Sequence, residues 1–368
     1  MTIDLKKLNF GPPAAERDDN LTKYFVQSES FNRLYNLEKH IALGNRGSGK
    51  TAIFEMIAQK AKINNKKTVI KLFPEDYSYE ILDEVLKSEV EGSWAKQNAY
   101  AAAWKYVLFV LAMKAVTKEG AKYKRAAAGR IYTYLRDNHT TQDKNPIGLL
   151  ISYLKRLEDV KIAKYRAGLK AKSLHKLYKL EEIKNLIGDL DEVSAKRPVL
   201  ILVDELDRGW DSSEDAKAFV GGLFQATMSI NSQMKNIRIL LSLRKELYNS
   251  IPTIYDDAQK FRDVIEIIQW DEKSLLKLVA KRIESSLELT INTTHEKKWG
   301  YIFSETLDYR QTKSFNYFID RTLYRPREII QFCDSTREIA IKNKAVVPLN
   351  YPIISEAEMG YSEISVKD

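Results

Sequence analysis

The chain has 368 residues, 44% hydrophobic and 30% charged, with 15 Gly and 9 Pro, a balance that excludes a disordered or low-complexity polypeptide. A single cysteine, Cys333, excludes an intrachain disulfide framework and a multi-cysteine zinc site. The net charge of +9, from 59 Lys+Arg against 50 Asp+Glu, points to an anionic partner without naming it.

The opening Met1-Thr-Ile-Asp-Leu-Lys-Lys7 lacks the apolar run of a secretory signal. The most apolar stretch, residues 100–116, is broken by Lys105 and Lys114, so a buried helix is expected there rather than a membrane span. A cytoplasmic protein without a membrane partner follows as the expectation.

In chain order, the first informative element is a short apolar run, residues 40–43, that fits a buried parallel strand. Directly after it stands Gly44-Asn-Arg-Gly-Ser-Gly-Lys-Thr51, which fits G-x-x-x-x-G-K-[ST]. Residues 52–60 then carry apolar side chains at helical spacing. Strand, glycine loop and helix form the context in which such a loop cradles phosphates with backbone N–H groups and a helix N-terminus. The nucleotide-binding set is therefore Gly44, Asn45, Arg46, Gly47, Ser48, Gly49, Lys50, Thr51 and Ala52. Lys50 is expected on the β- and γ-phosphates, and the Thr51 hydroxyl on Mg²⁺.

A second strand is expected at residues 68–73. Residues 91–190 then stand apart in composition, being rich in Ala, Leu, Lys and Tyr. They hold 20 Lys/Arg against 9 Asp/Glu, a surplus of +11 that leaves −2 for the other 268 residues. Runs such as 121–130 and 161–172 consist mostly of strong helix formers, so the segment reads as a basic helical insertion. Its lysines fit solvated helix faces; with Tyr123, Tyr132, Tyr134, Tyr153, Tyr165 and Tyr178 among them, they also fit a non-specific phosphate-backbone or protein-docking surface.

Residues 199–203 are five consecutive apolar residues followed by Asp204 and Glu205. Apolarity on both faces suits a central parallel strand under helices, and the terminal acids give it the form of a Walker B strand. Asp204 is assigned to Mg²⁺, and Glu205 is assigned as the general base for an attacking water. Further strands are expected at 237–243 and 264–270, completing an α/β parallel sheet with its ligand at the C-terminal edge. Ser242 is a polar residue in an apolar strand, placed to bond the γ-phosphate or the lytic water, or else local backbone. Arg208, Arg244, Arg262, Arg325 and Arg327 are the candidate guanidinium contacts to phosphate, each with a structural ion pair as its alternative. His40, His139, His175 and His295 show no metal-ligand spacing, Cys333 suits a small buried hydrophobe, and Trp94, Trp104, Trp210, Trp270 and Trp299 are core or interface candidates.

The glycine loop, Val199-Leu-Ile-Leu-Val-Asp-Glu-Leu-Asp-Arg-Gly-Trp210 and Tyr324-Arg-Pro-Arg-Glu-Ile-Ile-Gln-Phe332, together with Asn9-Phe-Gly11 and Phe261-Arg-Asp263, resemble bacterial P-loop ATPases of the AAA+/STAND type. The resemblance spans nearly the whole chain except the basic segment. It implies an ATPase core followed by a helical, winged-helix-like lid, with Arg327 as a sensor 2-like contact and Arg262 as the positional match for an arginine finger. It also implies an oligomerising regulatory switch or scaffold for a separate effector protein, often in phage defence. The expected division is 1–90 and 191–270 for the two halves of the core, 91–190 for the insertion and 271–368 for the lid. A nucleic-acid-dependent motor or loader that grips DNA or RNA through residues 91–190 is the competing reading. ATP and Mg²⁺ are the expected cofactors.

Overall fold

The computed structural model describes residues 3–64, 67–73, 93–117, 126–139, 145–167, 180–207, 210–251, 254, 261–289 and 293–365. Arg208, Tyr123, Tyr178, His175 and the run 121–125 lie outside the described residues, as does 168–172 of the second basic run. In chain order the helices and strands are α1 (Leu21–Tyr24), α2 (Glu29–Tyr35), β1 (Ile41–Gly44), α3 (Lys50–Asn64), β2 (Thr68–Leu72) and α4 (Ser93–Val116). There follow α5 (Ala127–Asn138), α6 (Pro146–Ala167), α7 (Lys184–Lys196), β3 (Val199–Val203), α8 (Glu214–Gln233), β4 (Ile237–Arg244), α9 (Lys245–Ser250) and β5 (Ile265–Ile267). The last are α10 (Glu272–Ser286), α11 (His295–Gly300), β6 (Thr306–Leu307), β7 (Thr312–Lys313), α12 (Ser314–Arg321), α13 (Pro326–Lys342) and α14 (Tyr351–Ser365).

The chain divides into two compact units. One comprises Met1–Asn32, Gly44–Met56 and Ile267–Asp368; the other comprises Arg33–Leu43 and Ile57–Glu266. The second unit is built on a five-stranded parallel sheet in the order β2-β3-β4-β1-β5. β3 lies between β2 and β4, with Ile201 opposite Ile70 on one side and Ile239 on the other. Every β3 residue is buried, as its unbroken apolar run requires of a strand covered on both faces. β1 joins through the Leu241 N–H, which donates to the His40 carbonyl, and through the His40 and Ile41 N–H groups, which donate to Val264. The sheet is flanked by helices, the arrangement of a P-loop NTPase.

Helix α4 is the one helix among the described residues long and apolar enough to cross a membrane, and most of its apolar run is buried inside this unit. Trp104, Tyr100 and Phe109 are among its fully buried side chains, and Tyr100 and Trp104 pack edge-on against Phe219 of α8. The close approach of α4 and α8 depends on Gly222: a Cβ there would meet the Tyr100 Cβ at 2.6 Å and the Ala101 nitrogen at 2.8 Å. Lys96 of α4 and Asp215 of α8 close the same contact with a 2.9 Å ion pair. The N-terminal helix of the basic segment is thus core rather than solvated surface. Farther along, Arg130 of α5 pairs with Asp189 of α7, and the Tyr106 hydroxyl meets Tyr134 at 2.9 Å and His139 at 3.0 Å.

In the first unit a second core gathers Leu8, Phe10, Val279, Trp299, Phe303, Phe318, Phe332 and Cys333. Burial pushes the Cys333 thiol well up, so it acts as the small hydrophobe its position suggested. Asn9-Phe-Gly11 anchors the N-terminal segment to α10. The Ser286 hydroxyl accepts from the Asn9 N–H at 2.6 Å, and Arg282 donates to the Phe10 carbonyl. Arg282 is itself buried, 3.5 Å from Asp18 and 4.1 Å above the Tyr24 ring, while the Tyr24 hydroxyl donates to Asp18. Burial, followed by the hydrogen bond to Asp18, raises the Tyr24 pKa and keeps the phenol neutral. β6 and β7 form a small antiparallel hairpin ahead of α12–α14.

Candidate nucleotide site

The phosphate-binding candidates lie on a loop between the end of β1 and the start of α3. Three glycines shape it. Gly47 and Gly49 have φ of +76° and +89°, the left-handed region that side chains other than glycine enter at a cost of roughly 1–2 kcal/mol. At Gly44 a Cβ would lie 2.5 Å from the Ser48 hydroxyl oxygen and 3.3 Å from its Cβ, so a side chain there would force Ser48 to shift.

The loop carbonyls are tied one by one. Asn45 accepts from the Ser48 N–H at 3.2 Å, Gly47 from the Arg327 N–H at 3.3 Å and Gly49 from the Ile53 N–H at 3.0 Å. The Ser48 carbonyl accepts the Trp270 indole N–H at 2.8 Å. Lys50 donates to the carbonyls of Gly44 and Asn45, each at 2.9 Å. Thr51 occupies the first turn of α3, half-buried, where its hydroxyl and the helix's partial positive charge favour a hard anion and its cation.

Of the sequence candidates, the first unit brings together Gly44–Thr51 and the Arg-Pro-Arg segment. A Cβ on Gly47 would lie 3.3 Å from the Arg327 Cβ, 3.9 Å from the Arg325 Cβ and 3.8 Å from Glu328 Oε1. Pro326 stands in the first turn of α13, where its missing N–H costs nothing, so this helix starts at the loop. Two residues here take roles that the sequence pattern does not announce. Trp270, a core or interface candidate, packs against the second core and also holds the loop. Glu328 accepts the Tyr361 hydroxyl of α14 at 2.8 Å. No local signal announces either contact, since each joins residues far apart in sequence.

The second unit holds the acids. Val203 of β3 pairs with Leu241 of β4, and one step further on stand Asp204 and Ser242. Asp204 is buried; its Oδ1 accepts the Glu205 N–H at 2.9 Å, and its Oδ2 is buried without a hydrogen-bond partner. The Ser242 hydroxyl is also buried and unpartnered. Buried polar atoms are nearly always satisfied, so two such oxygens on adjacent strand ends suit a polar ligand. An unpaired carboxylate oxygen suits Mg²⁺, a cation that takes oxygen ligands and keeps several waters. Glu205 has a φ of +61°, a left-handed conformation for a non-glycine residue, of the kind that gathers at functional sites.

The other arginines separate. Arg244 forms an ion pair with Asp207 of the turn after β3, which is its structural alternative. Arg262 is exposed in the turn before β5, and its carbonyl accepts Lys39 Nζ at 3.4 Å. No group of three or more metal-ligating side chains occurs among the described residues. β5 covers 265–267 rather than the expected 264–270; Trp270 lies past its end and donates its indole N–H to the Ser48 carbonyl.

Sheet, loop and helix order define a P-loop NTPase fold. Residues 273–368 match the family described as the FunZ-associated C-terminal helical domain. A putative transposon gamma-delta 80.3 kDa protein of Escherichia coli (strain K12) is 24% identical over 333 residues, covering 90% of this chain and 47% of that protein. The chain thus spans about half the length of this relative. Among solved structures, the Aeropyrum pernix ORC2 protein in its ADPNP–ADP complexes aligns over 90% of this chain and 65% of its own, with a TM-score of 0.38 and 12% identity. The ADP form of the same protein gives 0.37 and 11%, over 95% and 70%.

Proposed function

We propose that this chain is an ATPase that binds Mg-ATP through Gly44–Thr51 and hydrolyses it. The observation that carries the reading is the loop itself, with left-handed glycines at 47 and 49 and its carbonyls engaged by protein donors. A loop so arranged offers backbone N–H groups and a helix N-terminus to phosphate oxygens.

In this reading Lys50 exchanges its two loop carbonyls for the β- and γ-phosphates. Thr51 and Asp204 hold Mg²⁺, which when bound neutralises charge on the phosphates. Glu205 takes a proton from the water that attacks the γ-phosphorus, and the bond to the bridging oxygen of the ADP leaving group breaks. Ser242 bonds the γ-phosphate or that water. Arg327 registers the γ-phosphate from α13, and Arg262 acts on the nucleotide of a second copy as its finger.

The family resemblance extends the proposal. Nucleotide drives homo-oligomerisation, and the assembly is a regulatory switch or scaffold for a separate effector protein in bacterial anti-phage defence. The 3.3 Å bond from the Arg327 N–H to the Gly47 carbonyl supports this, since it ties the first turn of α13 to the loop that would hold the phosphates. A motor or loader acting on nucleic acid is the second reading, favoured by the +11 surplus in residues 91–190.

Lys50→Ala and Glu205→Gln test the core claim. Lys50→Ala is expected to lose Mg-ATP binding in a titration with a fluorescent analogue. Glu205→Gln should retain binding and lower kcat by about 10²-fold or more. Parental turnover in Glu205→Gln contradicts its assignment as base. Turnover that rises with added DNA and falls steeply with salt favours the second reading.

A further inference from the structure

The peptide between Ser48 and Gly49 can be oriented in two ways. A trans peptide is planar, with its C=O and N–H pointing in opposite directions. Whatever holds the Ser48 carbonyl therefore also aims the Gly49 N–H. Gly49, at φ +89°, carries no Cβ to resist rotation of this peptide, so the local sequence alone does not fix its direction. The donor that fixes it is the Trp270 indole, 2.8 Å from the Ser48 oxygen and 222 residues away in sequence.

Trp270 is itself well held. Its ring is half-buried against the second core, and the next residue, Asp271, caps α10 by accepting the Ser274 N–H at 2.7 Å. Its ring carbon Cζ2 would lie 3.8 Å from a Cβ at Gly49, ordinary contact with no clash.

We infer that Trp270 is a positioning residue for the phosphate site: its indole N–H locks the Ser48–Gly49 peptide so that the Gly49 N–H serves as a fixed phosphate donor. This rests on the Mg-ATP reading of the loop. Without the indole the peptide rocks or flips, and a phosphate must order it on binding. The loss falls on ground state and transition state alike, so it appears in KM rather than in kcat.

Trp270→Phe keeps an aromatic ring and removes the donor. Its KM for Mg-ATP is expected to rise roughly five- to tenfold, the effect of one hydrogen bond, with kcat within about twofold of the parent. Trp299→Phe is the comparison, since it removes the 2.8 Å indole bond to Ser314 within the same core. It should lower the unfolding temperature and leave KM unchanged. An unchanged KM in folded Trp270→Phe overturns the inference, as does an equal rise in Trp299→Phe. If Trp270→Phe does not fold, hydrogen exchange of the indole N–H in the unmodified chain decides. Protection at Trp270 supports the clamp, and exchange at the rate of an unfolded chain refutes it. A parent chain that binds no Mg-ATP defeats the functional reading, while the protection measurement still judges the clamp.

Discussion

Gly47, Gly49 and Glu205 all take left-handed backbone, and all three belong to the motifs proposed to meet nucleotide. At the glycines this costs little, because there is no Cβ; at Glu205 the strain is retained where a carboxylate is proposed to act. Next to Trp270, Asp271 offers a cleaner test of local physics. Its side chain accepts from Ser274, and these hydrogen bonds hold its carboxyl below the usual range. A carboxyl depressed in the folded state stabilises above the unfolded pKa of about 3.9, and that contribution is lost as pH falls through the lower folded value. Asp271→Ala is accordingly expected to lower stability by about 1 kcal/mol at neutral pH, measured by urea unfolding. Its deficit relative to the parent should shrink as both are titrated toward pH 3. A deficit that is constant with pH would show that the cap does not depend on the charge.

Elements differ in how plainly they can be read from the sequence. β1 and β3 are legible because strands covered on both faces must be apolar throughout, and residues 199–203 are. The glycine loop is legible because few other sequences allow its backbone. The end of β5 is not, since the mostly apolar segment 264–268, broken by Glu266, does not say where pairing stops. Asn9-Phe-Gly11 carried only a resemblance, and its anchoring to α10 through Ser286 and Arg282 needed the fold to bring residues together. Helix α4 was expected to be buried, but its partner was not readable, because Gly222 looks like any helical glycine. The close approach there makes a sharp prediction. Gly222→Ala should destabilise by about 1–3 kcal/mol through overpacking against Tyr100, seen as a lower unfolding midpoint. An unchanged midpoint would mean that α4 and α8 separate at no cost.

At the scale of the whole molecule, charge and chemistry occupy different stretches of sequence. The surplus of +11 lies in residues 91–190, and the remaining 268 residues, with the loop and the Walker acids, carry −2. Phosphate recognition is therefore assigned to a few placed groups rather than to bulk charge. One unit carries the loop with its Trp270 and Arg327 contacts, and the other carries Asp204, Glu205 and Ser242. The most direct measurement is phosphate release from Mg-ATP by the purified chain, run beside Lys50→Ala and Glu205→Gln. The account predicts turnover by the parent, loss of both binding and turnover in Lys50→Ala, and binding without turnover in Glu205→Gln. Phosphate release that is equal in all three proteins, or nucleotide binding that persists undiminished in Lys50→Ala, would contradict it.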